Sequence, residues 1–339
     1  MDVNIFKKLD NSVNFHQGVD ITPKDDVFHG NINIIDVEWW YFDAVFDNGY
    51  SIHIGIRVYH LKNSGLLESR INIYKNGMVE SESTKRDFYN SFVPSNKYPD
   101  LKINGKKVVE FNRERYEKYG EWIYDVSIKI GNIDVNLNFI GTTTGWKIET
   151  SETCWAVALP KAQVKGEINF QDRKISVKGI GYHDHNWGYS PSTMFKNIGW
   201  FWGRVTGDFL NLTWANTIHN IKKGDLLAVI NQDEKTPKST KQYYSINPKY
   251  IKFVPKNFKK NHRKLIPTEF DLIINSTLEP DIPIHAEIHM KSIFTQHSKI
   301  FTAHYWRYHV ESYGKITINS KIDTLDKKNQ IMEFLLFKS

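Results

Sequence analysis

The sequence has almost no cysteine and no long apolar run, and both absences narrow its class. Cys154 is the only cysteine among 339 residues, so an intramolecular disulfide and a cysteine-based zinc site are excluded. No stretch approaches the roughly 18 uncharged apolar residues of a membrane-spanning helix. The first residues contain no apolar segment of signal-peptide length. We therefore expect a cytoplasmic protein.

Sequence motifs of several common enzyme classes are also missing. The chain contains no GxGxxG dinucleotide fingerprint, no phosphate-binding P-loop and no GxSxG nucleophile elbow. Cys154 has no flanking catalytic signature and is predicted to be a buried structural thiol. Nucleotide-dependent and serine- or cysteine-nucleophile chemistry therefore find no support.

Positive charge is concentrated in one segment of the chain. The formal net charge is +7, and residues 222–264 alone carry a net charge of +9. No nucleic-acid motif accompanies these residues, so no nucleic-acid partner is expected. The simpler interpretation is a solvated region of loops and sheet edges, rich in lysine and proline. Peripheral membrane contact through 222–264 is the alternative.

The patterning of the chain predicts an all-β protein. Long stripes of helical period are nearly absent, whereas short alternating runs separated by turn residues occur throughout. About eight strands can be placed in each half, and eight antiparallel strands can close around one small apolar ligand. We predict two consecutive lipocalin-like antiparallel β-barrels, at residues 1–192 and 193–339.

The clearest hairpin spans residues 37–60 and turns at Asn48-Gly49, which is predicted to be a type I′ turn. Arg57 lies inside this otherwise apolar hairpin, and Arg204 and Arg307 lie inside other apolar strands. Each is expected to pair with a carboxylate of the protein or of a ligand. Alternation divides its side chains between two faces. The predicted ligand-binding residues of this hairpin are Glu38, Trp40, Tyr41, Asp43, His53 and Arg57.

The segment GIGYHDHNWGYSP, residues 179–191, is the densest cluster of chemically active side chains. On a strand, His183, His185 and Trp187 share one face, and Asp184 lies on the other. If Asp184 points inward among aromatic side chains, burial raises its pKa and it is predicted to be a general acid. The alternative is that it fixes a turn through backbone amides.

Two histidines separated by one residue can also chelate a metal, provided that a third ligand exists. The candidates for that ligand are His53, Glu38, Asp43, His285 and His289. The sequence cannot place any of them beside the pair, and no second signature such as HExxH is present. We therefore predict no metal and no other cofactor.

A second group of candidate ligand-binding residues consists of aromatic side chains in strands and a neighbouring arginine. The predicted ligand-binding residues in this group are Trp187, Trp200 and Trp202, together with Arg204. Most aromatic side chains in strands are core, but tryptophan-lined pockets also suit a long apolar ligand. The negative face of such rings can stabilise a developing carbocation.

The segments VEWWYFDAVFDNG and GIGYHDHNWG resemble elements of the AttH and carotenoid 1,2-hydratase-like group of double-lipocalin, calycin-type proteins. Tocopherol cyclase and the Svf1-like proteins are more distant relatives. The matching positions are Glu38 to Tyr41, which open the first barrel, and His183 to Gly188, which close it. The resemblance implies two barrels and a hydrophobic cavity for isoprenoid-like or lipid-like molecules.

The resemblance is compatible with two alternative functions, an enzyme and a carrier. Some relatives add water to a C=C bond or cyclise onto it without a cofactor, and others have no known activity. In a hydratase, Asp184 would protonate the alkene, Trp187 or Trp202 would stabilise the cation, and His183 or His185 would position water. The alternative is a lipid or isoprenoid carrier in which the HDHNWG segment is structural. Either way, a small apolar ligand is expected; the sequence does not predict the oligomeric state.

Overall fold

The computed structural model describes residues 14–30, 33–62, 64–150, 153–220, 223–233, 243–278, 281–300 and 302–337. The prediction of an all-β protein is confirmed, since strands make up 73% of the structure and form two nearly closed antiparallel barrels. Among the described residues, no helix is both long enough and apolar enough to cross a bilayer.

The chain divides into two compact units. The N-terminal unit is Val19–Pro191, and the C-terminal unit is Ser192–Ser339 together with residues 14–18. Residues 14–18 contact the rest of the C-terminal unit, since the Gly18 amide donates a hydrogen bond to Ser245 Oγ at 2.8 Å. The predicted boundary between residues 192 and 193 stays a prediction.

The N-terminal unit forms one antiparallel sheet of 13 strands among its described residues. These strands are β1 Val19–Asp20, β2 Ile35–Phe46, β3 Tyr50–Leu61, β4 Ser64–Lys75, β5 Met78–Phe88, β6 Phe92–Pro94, β7 Leu101–Ile103, β8 Lys106–Phe111, β9 Ile123–Ile130, β10 Ile133–Gly141, β11 Trp146–Glu149, β12 Cys154–Phe170 and β13 Arg173–Tyr189. The main order is β5-β4-β3-β2-β13-β12-β10-β9-β8-β7-β6. Strand β13 therefore lies between β2 and β12, and brings the two predicted motifs side by side.

The described C-terminal unit contains a nine-stranded antiparallel sheet and a separate two-stranded hairpin. Its strands are β14 Gly199–Thr206, β15 Leu210–Ile218, β16 Gly224–Gln232, β17 Tyr243–Ile246, β18 Ile251–Lys256, β19 Lys259–Asn261, β20 Lys264–Ile266, β21 Glu269–Leu278, β22 Ile282–Ile300, β23 Ala303–Ile318 and β24 Lys321–Leu336. The sheet order is β17-β16-β15-β14-β24-β23-β22-β21-β18. The described part of the basic segment, residues 223–233 and 243–264, falls on β16 to β20, and residues 222 and 234–242 lie outside the described residues. Membrane contact through 222–264 remains a prediction.

Helices are few and short in the described part of the chain. They are α1 Arg113–Tyr119, α2 Pro191–Lys196 and the 3-10 turns Pro23–Asp25, Tyr89–Ser91 and Pro248–Tyr250. Asn112 Oδ1 caps α1 by accepting a hydrogen bond from the Arg115 amide, and Gly120 ends it in a left-handed conformation with φ 70°. The sequence analysis did not anticipate α1, because seven residues are too few to show a helical period.

Left-handed turn residues set the register of the hairpins. At Asn76-Gly77 both central residues have positive φ, 50° and 81°, as a type I′ turn requires. The type I′ turn predicted at Asn48-Gly49 is wrong. Three residues separate β2 from β3 there, and Gly49 has positive φ (80°) whereas Asn48 does not. This is a three-residue loop with glycine in the left-handed position.

Each barrel has a continuous apolar interior. In the N-terminal barrel, alternate residues of β2 such as Trp40, Phe42 and Ala44 pack into one buried cluster. Gly181 on β13 permits this packing, because a Cβ there would lie 2.5 Å from Val164 Cγ2. In the C-terminal barrel a second cluster includes Trp306, Tyr308 and Val310 of β23. The interiors are therefore packed with side chains.

Candidate functional site

Strand β13 presents ionisable side chains on both of its faces. The ring of His183 stacks on Phe42 with centroids 3.8 Å apart, and that of His185 stacks on Trp40 at 4.3 Å. Both histidines therefore face the barrel interior. Asp184 lies on the outer face of the sheet and is 4% exposed. We name the two groups the inner cluster (Asp26, His29, Glu38, His183 and His185) and the outer cluster (Tyr41, Asp43, His53, Tyr182 and Asp184).

The first contact of the inner cluster is a buried histidine–carboxyl pair. His183 Nε2 lies 3.0 Å from Asp26 Oδ2, and its Nδ1 lies 3.0 Å from the Tyr41 carbonyl oxygen. Because a carbonyl oxygen only accepts, Nδ1 carries a hydrogen. The contact between His183 and Asp26 then needs a second proton, held by one partner or the other. The pair is therefore net neutral and contains one shared proton.

The second contact joins His185 Nε2 to Glu38 Oε1 at 2.8 Å. Burial lowers the pKa of His185 and outweighs the opposing effect of Glu38. Burial alone would raise the pKa of Glu38, but hydrogen bonds from His185 and His29 hold it below its ordinary value. A neutral His185 thus donates its Nε2 hydrogen to an ionised Glu38. Its Nδ1 is left as an acceptor, 3.5 Å from Asp26 Oδ1.

The segment before β2 supplies Asp26 and His29, which the sequence analysis missed. The Asp26 carbonyl accepts a hydrogen bond from Trp40 Nε1 at 3.1 Å. The His29 amide donates to Glu38 Oε1 at 2.9 Å, and its ring stacks on Trp187 at 3.7 Å. The only signal in the sequence was an acidic pair and a histidine shortly before EWWY. Because Asp26 and His29 lie in irregular backbone, no side-chain alternation indicates where they point.

The outer cluster contains two phenol–carboxylate pairs on neighbouring strands. Tyr41 Oη donates to Asp43 Oδ2 at 3.0 Å, and Tyr182 Oη donates to Asp184 Oδ2 at 2.7 Å. In the β2–β13 register, Asp184 is opposite Tyr41 and Tyr182 is opposite Asp43. The two pairs therefore form a checkerboard on one surface. The ring of His53 lies against Tyr41 at 4.8 Å.

Asp184 is held in place by two further donors. Trp155 Nε1 on β12 donates to Asp184 Oδ2 at 2.8 Å, and Asn186 Nδ2 donates to Asp184 Oδ1 at 3.0 Å. These donors are side chains, and Asp184 points to the outer face of the sheet rather than to the barrel interior. The arrangement fixes the orientation of its carboxyl group.

The predicted site residues fall into three groups. Neighbouring residues of one strand, such as Trp40 and Tyr41, face opposite sides of the sheet. The inner face holds Glu38, Trp40, His183, His185 and Trp187. The outer face holds Tyr41, Asp43, His53, Arg57 and Asp184. The C-terminal unit holds Trp200, Trp202 and Arg204.

The C-terminal residues belong to a different network. Trp202 Nε1 donates to Glu333 Oε2 at 2.7 Å, and Arg307 Nε donates to Glu333 Oε1 at 2.9 Å. Arg204 is 2% exposed, and the ring of Trp200 packs against Phe337. Arg307 and Glu333 thus form a structural ion pair of the kind expected for a buried arginine.

Of the third metal ligands considered from the sequence, Glu38 alone lies in the inner cluster. His53 and Asp43 are on the outer face. His285 and His289 lie in the C-terminal unit, where their Nδ1 atoms contact Asn275 Oδ1 and Asp271 Oδ1. Cys154 is buried, and burial raises the pKa of its thiol. That environment suits an inert structural thiol.

No protein-family model matches the chain. Its fold is similar to that of an AttH protein of Nitrosomonas europaea, with a TM-score of 0.64 and 16% identity over 98% of this chain and all of that one. It is also similar to kievitone hydratase of Nectria haematococca (TM-score 0.56, 11% identity, 98% of each chain). CghA gives a TM-score of 0.62 at 10% identity over 97% of this chain and 95% of that one. These likenesses confirm the AttH-type double-barrel fold.

One curated relative matches a short stretch of sequence. Hydroxyneurosporene dehydrogenase of Chlorobaculum tepidum is 38% identical over 58 residues. The chain spans only 15% of the length of that relative, and the match covers 15% of this chain.

Proposed function

We propose that the chain binds a hydrophobic unsaturated molecule and transfers a proton at its C=C bond, as a hydratase does. The observation that carries this proposal is the outer cluster, where two phenol–carboxylate pairs lie side by side, shielded from bulk water. The presence of a hydratase among proteins of the same fold supports it. The short match to a protein named for a polyene agrees with a substrate of this class.

Addition of water to an alkene needs one group that gives a proton and one that takes a proton. In our proposal Asp43 and Asp184 share one proton, which Asp184 holds when the substrate binds. Asp184 gives that proton to one alkene carbon, and water bonds to the carbon that becomes cationic. Asp43 takes the proton that the water loses. Tyr41 and Tyr182, with ring centroids 6.1 Å apart, occupy the other two positions of the checkerboard. Their hydroxyl groups return the proton from Asp43 to Asp184, so each cycle adds one water and restores the site.

The two histidines of the HDHNWG segment receive a different role in this proposal. His183 and His185 have no exposed surface and face away from the outer cluster. They position the segment before β2 and the strand that carries Asp184. A non-catalytic carrier with the same segment as structural glue is the competing function, favoured by this burial.

The deciding experiment uses an acyclic prenylated phenol or polyene in ¹⁸O-labelled water. Asp184→Asn should lower hydration roughly 10²–10⁴-fold while ligand binding, measured by tryptophan quenching, stays within a few-fold of wild type. The matched control is Asp172→Asn, an exposed residue whose left-handed φ of 58° asparagine tolerates. Binding without ¹⁸O incorporation by the wild type supports the carrier. Equal turnover in Asp184→Asn contradicts the catalytic assignment.

A further inference from the structure

Three donors of the inner cluster converge on one point. His185 Nε2 lies 2.8 Å from Glu38 Oε1, and His29 Nδ1 lies 3.4 Å from the same oxygen. One donor atom from each of the three residues lies within 4.8 Å of the others. Donors that hold a zinc ion at about 2.0–2.2 Å lie roughly 3–3.5 Å apart in tetrahedral geometry. Small side-chain shifts therefore suffice to enclose a cation.

A second observation points to a ligand at the same place. Four buried polar atoms of the inner cluster have no hydrogen-bond partner among the described residues: Asp26 Oδ1, His29 Nδ1, Glu38 Oε2 and His185 Nδ1. Glu38 and His185 are at most 1% exposed. Buried polar groups in native proteins are nearly always satisfied, so four in one place require a physical explanation.

We propose that His29, Glu38 and His185 bind a divalent transition-metal cation of the zinc type. In the bound state His185 Nε2 and His29 Nδ1 coordinate the cation together with the Glu38 carboxylate. The single ring hydrogen of His185 moves from Nε2 to Nδ1 and is donated to Asp26 Oδ1. No proton is gained or lost by that exchange. The cation thereby satisfies the unpaired atoms of both histidines and of Asp26.

The surroundings of the cluster preorganise this site. The His29 ring is stacked on Trp187 with an interplanar angle of 6°, and the His185 ring is stacked on Trp40 at 13°. Asp26 would be the carboxylate that commonly orients a metal-binding histidine through its second ring nitrogen. The His29 side chain is 22% exposed and gives the cation a route of entry.

Three protein ligands leave a coordination position for water, as in catalytic zinc sites. No metal was predicted from the sequence because no third ligand could be placed beside His183 and His185. The proposed site uses His185 of that pair, Glu38, and His29 from an irregular segment. The site lies on the opposite face of β13 from the outer cluster, so it does not depend on the proposed hydration reaction.

The test is zinc titration of the chelator-treated full-length protein by isothermal calorimetry, with thermal unfolding as a second readout. The wild type should bind one equivalent of Zn²⁺ and unfold at a higher temperature with it. His29→Ala should lose both effects, and its unperturbed circular dichroism would show that it is folded. Asp26→Asn should weaken binding about 10–100-fold.

The matched control is His219→Ala, which removes a histidine that contacts Asp225 in the C-terminal unit. This variant should bind Zn²⁺ like the wild type. Failure of the wild type to bind, retention of binding in His29→Ala, or loss of binding in His219→Ala would each overturn the proposal. Co²⁺ substitution gives an independent readout, because its visible absorption should change on binding in the wild type and not in His29→Ala.

Discussion

The two barrels differ in the ionisable side chains that the described strands turn towards their interiors. In the N-terminal barrel, His183, His185 and Glu38 face an otherwise apolar interior. In the C-terminal barrel, the interior along β23 is apolar, and Arg307 pairs with Glu333 on the outer side of the wall. A packed interior tolerates ionisable groups only when they are paired, so their presence in one barrel calls for a specific role.

A single carboxylate of the C-terminal unit makes the difference clearer. Asp323 Oδ2 accepts hydrogen bonds from the Phe209 and Leu210 amides at 2.9 and 2.5 Å, and its Oδ1 accepts from the Asp208 amide at 3.2 Å. Both oxygens are therefore occupied by backbone in a turn. Asp26 and Glu38 each keep one oxygen without a partner among the described residues. The oxygens of Asp323 are thus used by the turn, whereas Asp26 and Glu38 each have a buried oxygen that a ligand could satisfy.

The largest effect should follow from breaking the buried pair of the N-terminal barrel. Asp26→Ala removes the partner of His183 and the acceptor of the Tyr124 hydroxyl, which donates to Asp26 at 2.6 Å. Loss of one partner of a buried ionisable pair costs about 3–5 kcal/mol of unfolding free energy. Urea denaturation measures it, with the exposed Asp125→Ala expected within about 0.5 kcal/mol of wild type. Similar values for both variants would show that the buried pair does not contribute more to the N-terminal barrel than an exposed aspartate does.

Strands could be predicted from the sequence because their side chains alternate with a period of two, whereas irregular segments have no period and could not be predicted. Strand alternation and the two motifs predicted the barrels and placed His183 and His185 together on one face, opposite Asp184. Alternation also implied that Trp40 and Tyr41 could not line one pocket, which the combined prediction of ligand-binding residues did not respect. Nothing periodic pointed to Asp26 and His29, which lie in irregular backbone.

Contacts between strands that are distant in the sequence were also impossible to predict. Trp155, a donor to Asp184, lies on β12, and Asn186 is its residue partner in that strand pair. The register between β12 and β13 contains two irregularities, between Ala156 and Leu159 and between Leu159 and Ala162. Such bulges have no reliable sequence signature, so the donors around Asp184 could be identified only from the folded chain.

A second, smaller effect concerns pH and the C-terminal barrel. Burial, with a further contribution from Arg307, lowers the pKa of His309 to about 3. An unfolded histidine has a pKa of about 6.5, so the unfolded chain binds the additional proton below that pH. Stability from this group is therefore full above about pH 6.5 and decreases as the pH falls towards 3.

The expected loss from His309 is about 2–3 kcal/mol between roughly pH 7.5 and 4.5. Urea denaturation at both pH values measures it, and His309→Gln should remove that part of the pH dependence. The N-terminal unit has its own pH dependence, because the pKa values of His185 and Glu38 are both lowered there. The comparison of the barrels is therefore sharpened if His309→Gln changes the pH response of the C-terminal unit alone. An unchanged pH profile in His309→Gln would show that this histidine does not contribute.

The smallest effect should come from Asp323→Asn, which tests whether saturation by backbone amides marks a structural carboxylate. The substitution keeps the shape and one accepting oxygen, but it turns an amino group towards at least one of the three amides at the β14–β15 turn. A buried donor left without an acceptor costs roughly 1–3 kcal/mol, and the partly exposed turn lets water offset some of it. We expect a loss of about 1 kcal/mol by urea denaturation, with zinc binding and ligand turnover unaffected.

Because Asp26→Asn should weaken zinc binding at the other barrel, the two conservative changes make a matched pair. A change in zinc binding or in ligand turnover in Asp323→Asn would contradict this expectation. It would show that a carboxylate whose oxygens accept from backbone amides can still contribute to function.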